Sequence, residues 1–263
     1  MSAAENTIAV EIREHTAILR ICRPRVRNAL DDATRIAMVA ALDAVNANPE
    51  IRALVVTGEG QAFCSGGDIH AMQERARAPA SEVAFNGWSR QQRTHQAVAM
   101  LHSLPKTTIA AVNGAAAGLG ADLAIACDFV IASPAATFAW SYVRRGLTPD
   151  GGGMYFLPRR IGLSRAKDLI FTGRTIAVEE AQALGIVDRT AEADDLIDEA
   201  CNWAGDLSRY HGPALALTKS IMTRSFESGV EEIFSQGSQA QGICYTTREH
   251  QSAIAAFLAK RKA

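Results

Sequence analysis

"TTIAAVNGAAAGLGADLAIACDFVIAS", residues 107–133, holds within one stretch the alternation on which the fold turns. "TTIAAV" is a short continuous apolar run of the kind that a strand covered on both faces shows, and "DFVIAS" is a second such run. Between them Gly118-Leu119-Gly120 opens a small-residue loop that enters a helix. Working outward, "IRALVVTG" (51–58) is another buried strand, followed directly by "AFCSGGDI" (62–69). "IAVEIREHTAILRI" (8–21) alternates in two runs around Glu14-His15, as a half-buried hairpin does. Behind Asp31-Asp32, which are good N-cap residues, Ile36, Val39, Ala40 and Val45 recur at helical spacing until "NANP" ends the helix. Residues 81–104 predict a further helix. Strand, glycine-rich loop and helix thus alternate through the first half, which points to an α/β core. From Ser164 onward the pattern is nearly all helical, and no proline- or serine-rich linker precedes it. The organisation expected is a core over residues 1–198 and a C-terminal helical region over 199–263 of the same domain unit, serving as a cover or an assembly surface.

Composition narrows the class. Of 263 residues, 48% are hydrophobic and 21% charged, which suits a globular chain and excludes wholesale disorder. A net charge of -1 gives no general attraction to nucleic acid or anionic membrane. Five scattered cysteines, without a C-x-x-C pair, fit a reducing compartment. The opening "MSAAENTIAVEIREH" carries acids and lacks a basic start followed by an apolar stretch, so no secretory signal is expected there. The apolar stretch from Thr107 to Ala126 is broken by Asn113, glycines and Asp122, which argues against a membrane span. A cytoplasmic, soluble protein is expected. The six histidines show no metal-ligand spacing, so no metal is expected.

Two glycine-rich exits, Ser65-Gly66-Gly67 and Gly118-Leu119-Gly120, each present free backbone N–H groups at a loop or helix start. Two such donors aimed at one carbonyl oxygen would form an oxyanion hole; the same glycines would equally serve tight turns. "GLGADL" fails as a dinucleotide fingerprint because Leu123 stands where the third glycine is needed. "FCSGG" fails as a nucleophile elbow because Phe63 occupies the first glycine position.

Five segments, "RPRVRNAL" (23–30), "AFCSGGDI" (62–69), "AAVNGAAAGLGADLAIACD" (110–128), "GLTPDGGG" (146–153) and "AFLAKRK" (256–262), together resemble the crotonase superfamily, the enoyl-CoA hydratases and isomerases. The resemblance runs over nearly the whole chain. It implies a spiral of β-β-α turns with a C-terminal helical trimerisation region, assembled as a homotrimer or as a homohexamer made of two trimers. It implies an acyl-CoA thioester substrate, with no cofactor beyond the coenzyme A that the substrate carries. The thioester oxygen would be held by the backbone N–H groups of Gly67 and Leu119 as the α-carbon becomes an enolate. Arg25, Val26 and Arg27 would run along the pantetheine and adenine, and Ser65, Asp68, Ile69 and His70 would flank the first amide donor. His70 stands where relatives often carry a lysine near the CoA phosphate.

Two departures from that pattern bear on the chemistry. The glutamates with which hydratases of the family position and deprotonate water match Asp122 and Tyr142 here. Aspartate withdraws its carboxylate by about 1.5 Å, and misplacement by about 1 Å costs roughly a hundredfold in rate. Tyrosine, with a pKa of about 10, is a poor base at neutral pH. Asp150 occupies a position at which double-bond-shifting relatives often carry an acid, so Asp122 and Asp150 are the acid–base candidates. Isomerisation therefore ranks ahead of hydration. Tyr142 is assigned to the pocket wall, sharing one face of an alternating strand with Phe138 and Trp140, and residues 71–95 are expected to build another part of the wall. Some crotonase relatives are described as RNA-binding, and Arg20, Arg23, Arg25 and Arg27 form a local basic cluster, but the neutral overall charge speaks against nucleic acid as a partner.

Overall fold

The computed structural model describes residues 6–210 and 212–260. The chain divides into two compact units, one ending at Asp206 and the other beginning at Leu207. In the first, β1 (Ile8–Arg13) and β2 (Thr16–Ile21) form the antiparallel hairpin expected around Glu14-His15. After α1 (Asp32–Ala47) the chain makes three similar passes. These are β3 (Ala53–Gly58) and β4 (Ala62–Cys64) followed by α2 (Ile69–Ala76) and α3 (Ala80–Ser103); β5 (Thr107–Val112) and β6 (Ala115–Ala117) followed by α4 (Leu119–Ala126); and β7 (Phe129–Ala132) and β8 (Thr137–Ala139), followed by a 3₁₀ turn at Ser141–Arg145 and α5 (Gly153–Ile161). Then come α6 (Leu163–Thr172), β9 (Thr175–Ala177), α7 (Val178–Leu184), β10 (Arg189–Thr190) and α8 (Leu196–Leu207). The predicted division after residue 198 falls inside α8.

Each pass gives its first strand to a six-stranded sheet, ordered β1-β2-β3-β5-β7-β10, and its second to a four-stranded sheet, ordered β4-β6-β8-β9. This is the expected spiral of β-β-α turns. β3 and β5 are buried at every position, so they read as unbroken apolar runs rather than as alternation. β4, β6 and β8 have three residues each, and the sequence reading takes the stretches of β4 and β6 as loop, because three residues are too few to show a period. Gly120 explains how closely the passes stack: a Cβ there would lie 2.0 Å from the Cys64 carbonyl oxygen. Only glycine lets the first turn of α4 rest on β4.

Two expectations are corrected. In α1 the buried face is Thr34, Arg35, Met38, Leu42 and Val45, whereas Ile36 is 56% exposed and Ala40 is also exposed. The stripe includes a threonine and an arginine, so hydrophobicity alone misplaces the face. The strand expected through Phe138, Trp140 and Tyr142 stops at Ala139, and the backbone turns into the 3₁₀ segment that carries Tyr142. Phe138 and Trp140 are fully buried, while Tyr142 reaches a cavity.

The second unit holds a 3₁₀ turn (Ser208–Tyr210), α9 (Pro213–Thr223), α10 (Val230–Tyr245) and α11 (Arg248–Lys260). α9 packs on α10, yet none of these three helices buries a residue. The first five residues of the opening stretch and the last two of "AFLAKRK" lie outside the described residues.

Candidate active site

The site begins with a turn. After a 3₁₀ segment at Pro24–Val26, Arg27 and Asn28 adopt left-handed backbone at φ 52 and 58. Asn28 is fully buried; its Nδ2 donates to the carbonyls of Glu59 (2.9 Å) and Ala62 (2.7 Å), and its Oδ1 accepts from Arg23 N at 2.9 Å. The side chain thus ties this turn to the β3–β4 connection and offsets the strained backbone. Ser65 N donates to Arg27 O at 2.9 Å, which sets the "RPRVRNAL" and "AFCSGGDI" segments side by side.

Leu30 then bridges Gly67 in parallel: its N–H donates to Gly66 O at 2.7 Å and its carbonyl accepts from Asp68 N at 3.2 Å. Both bonds are made by the neighbours of Gly67, so the N–H of Gly67 itself points away from Leu30. Leu119 is the first residue of α4, where a helix leaves its N–H groups unpaired. Neither amide has a hydrogen-bond partner among the described residues. A Cβ at Gly66, which sits at φ 95, would stand 3.3 Å from Leu119 N, so the two glycine-rich exits abut. Gly67 and Leu119 both line a cavity of about 540 Å³.

The acids are placed differently from each other. Asp150 lines that cavity and is the sole acidic side chain to do so among the described residues. Gln91 Nε2 of α3 donates to its Oδ2, and His95 Nε2 lies 3.0 Å from its carbonyl oxygen. Burial pushes its carboxyl above the usual range, against the lowering pull of its own backbone N–H, Arg90, His95 and Arg35. Asp122 is fully buried in α4 and does not reach the cavity. Its Oδ1 accepts from Trp140 Nε1 at 2.9 Å and its Oδ2 from the Tyr142 hydroxyl at 2.6 Å. A Cβ at Gly151 would lie 2.5 Å from Oδ2, so the "PDGGG" segment closes over the carboxylate. Burial pushes Asp122 up to about 7, moderated by its bonds from Tyr142 and Trp140. Burial, and then the Asp122 charge, push Tyr142 upward as well. Tyr142 lines the cavity as expected and also stands between it and Asp122.

Of the residues singled out in the sequence, the cavity collects Ser65, Gly67, Ile69, Leu119, Tyr142 and Asp150. Arg25, Val26 and Arg27 lie exposed on the adjoining turn, outside the cavity lining. His70 is exposed beside it. Asp68 caps α2, accepting from His70 N at 3.0 Å, and pairs with Arg23 at 3.1 Å. Its position is accounted for by local structure. Arg75, Arg90 and Gln91 fall within the stretch 71–95 expected to build the wall, though none was singled out, and they converge there with Arg35 of α1, which sequence reasoning missed. No sequence signal marked Arg35, because hydrophobicity alone misplaces the buried face of its helix. Among the described residues no group of three or more His, Cys, Asp or Glu side chains is placed to hold a metal ion.

Known proteins resemble this chain in sequence and fold. Residues 11–263 match the family model described as enoyl-CoA hydratase/isomerase. The chain is 34% identical over 261 residues to a crotonyl-CoA hydratase of Syntrophomonas wolfei, covering 99% of this chain and 98% of that one. It is 32% identical over 258 residues to a short-chain-enoyl-CoA hydratase of Clostridium acetobutylicum, covering 98% and 96%. The crystal structure of an enoyl-CoA hydratase from Polaromonas sp. JS666 superposes with a TM-score of 0.89 at 35% identity, covering 96% of this chain and 97% of that one. The two-sheet spiral is therefore the crotonase fold, as the five segments implied. The chain belongs to the enoyl-CoA hydratase/isomerase family.

Proposed function

We propose that the protein binds an enoyl-CoA thioester in this cavity and shifts its double bond from the β,γ to the α,β position. The observation that carries the reading is that, among the described residues, Asp150 alone of the acidic side chains lines the cavity that Gly67 and Leu119 share. The thioester oxygen accepts from the two unpaired amides. The Asp150 carboxylate takes a proton from the α-carbon, and the released electron pair passes into a dienolate whose oxyanion the amides stabilise. Asp150 then returns the proton to the γ-carbon, leaving the double bond between the α- and β-carbons. No catalytic water enters, and the raised basicity of Asp150 favours the first transfer. Asp122 acts behind the wall, orienting Tyr142 through their hydrogen bond.

Hydration of a trans-2-enoyl-CoA is the second reading, supported by the names of the relatives. It requires Asp150 to activate water without a second cavity-facing carboxylate. The C-terminal helices suit a role in a homotrimer or hexamer, because α9, α10 and α11 bury no residue and leave Phe234 and Phe257 68% and 59% exposed, with Phe226 between α9 and α10 73% exposed. Five cysteines, none of them in a disulfide, suit a cytoplasmic setting.

The test is a panel of β,γ- and α,β-unsaturated CoA thioesters, neutral and carboxylated, incubated in heavy water and read by mass spectrometry. Double-bond migration should dominate over water addition, and Asp150→Asn should lower its rate roughly a hundredfold or more with KM nearly unchanged. Water addition as the main reaction would establish the second reading instead. An Asp150→Asn variant of full activity would remove Asp150 from both.

A further inference from the structure

Three arginines from three helices reach the same cavity: Arg35 of α1, Arg75 of α2 and Arg90 of α3. Arg35 is only 2% exposed. Its Nη1 donates to Asp32 Oδ1 at 3.0 Å, and the same oxygen lies 3.9 Å from Arg75 Nη1. Asp32 is thus shared between two guanidinium groups. Asp150 is bonded by Gln91 and by none of the three arginines. The charges of Asp68, itself paired with Arg23, and of Glu74 also act on Arg75. Within the cavity lining, however, the three arginines and the exposed, Ser141-bonded Arg145 face a single acidic side chain among the described residues, Asp150.

The donors are as telling as the charge. Arg35 Nε, Arg75 Nη2, Arg90 Nε and Thr94 Oγ1 are each buried without a hydrogen-bond partner among the described residues. Native interiors rarely leave such groups unpaired, and here all four belong to residues that line one cavity. Burial first, and then the charge of Arg90, hold both Arg35 and Arg75 below the usual arginine range. Such a cluster of donors suits an anion.

Position narrows which anion. A Cβ at Gly67 would stand 3.6 Å from Arg35 Nη2, so this guanidinium lies beside the amide proposed for the thioester oxygen. The phosphates of coenzyme A are separated from the thioester carbonyl by the whole pantetheine arm, so they are not the groups that sit beside that oxygen. We propose that Arg35, Arg75 and Arg90 receive a second carboxylate carried by the acyl chain, so that the substrate is the CoA monothioester of a dicarboxylic acid. This rests on the reading of the cavity as a CoA-thioester site. A planar carboxylate suits the guanidinium fork, which can meet both of its oxygens.

The test uses saturated thioesters, which bind without turnover. Succinyl-, glutaryl- and adipyl-CoA are each compared, by calorimetry on the full-length protein, with the neutral thioester in which an isopropyl group replaces the terminal carboxylate. At least one carboxylated thioester should bind about tenfold or more tighter than its neutral partner. Arg90→Met and Arg75→Met should each remove most of that preference. Equal affinity within every pair would overturn the proposal and leave the CoA-thioester reading standing. A preference that survives both substitutions would also overturn it, by placing the carboxylate elsewhere. If no thioester of either kind binds better than free coenzyme A, both readings fall.

Discussion

Replacing Tyr142 by phenylalanine removes one hydroxyl, and the structure states what is lost: the 2.6 Å donor to Asp122 Oδ2, in a carboxylate with no solvent exposure. Trp140 remains on Oδ1. The cost depends on whether Asp122 is charged. Burial pushes its carboxyl up to about 7, against about 3.9 for an ordinary aspartate, so below that pH the native group is neutral. A neutral bond of this kind contributes roughly 0.5–1.5 kcal/mol, and one to an ionised group roughly 1.5–3 kcal/mol. The raised pKa means that the native state holds a proton that the unfolded chain has released between about pH 4 and 7, so wild-type stability falls as pH rises through that window. Removing the Tyr142 bond removes an influence that lowers the Asp122 pKa, which carries the fall to higher pH. Tyr142→Phe should therefore cost about 1 kcal/mol at pH 5 and about 2 kcal/mol or more at pH 8. Urea unfolding followed by tryptophan fluorescence measures this, with Trp140 beside the perturbed carboxylate. Asp122→Asn, alone and combined with Tyr142→Phe, completes a cycle in which the pH dependence should vanish. A penalty of the same size at both pH values, or none at all, would refute the pairing on which the argument stands.

Gly120→Ala should prevent folding or cost more than about 3 kcal/mol, because its Cβ meets the Cys64 carbonyl at 2.0 Å. Gly87→Ala in α3, where a Cβ would meet nothing within 4 Å, should raise the stability by up to about 1 kcal/mol in thermal unfolding. Light scattering on the full chain should return a trimer or hexamer, and charged substitutions at Phe234 and Phe257 should shift it toward smaller species. A clean monomer in the unmodified chain would overturn the assembly proposal.

Much of this molecule was legible in order along the chain. Continuous apolar runs announced β3, β5 and β7, because a strand covered on both faces has no polar side to display. The glycine-rich exits announced where backbone amides could be bare, and only the resemblance to the family singled out Asp150 within "GLTPDGGG". The short strands β4 and β6 of the second sheet were silent, since periodicity needs length, and the buried face of α1 was misjudged because Arg35 belongs to it. Tertiary structure alone decided which acid faces the cavity. Asp122 and Asp150 are both aspartates in glycine-rich company, and nothing in their local sequence tells that one is sealed behind Tyr142 while the other is open. The meeting of Arg35, Arg75 and Arg90 was equally invisible, because each arginine sits on a different helix. Backbone pattern is written locally, through covalent geometry and burial of neighbours. The charge balance of a cavity is a sum over side chains far apart in the chain, and it exists only once the fold has brought them together.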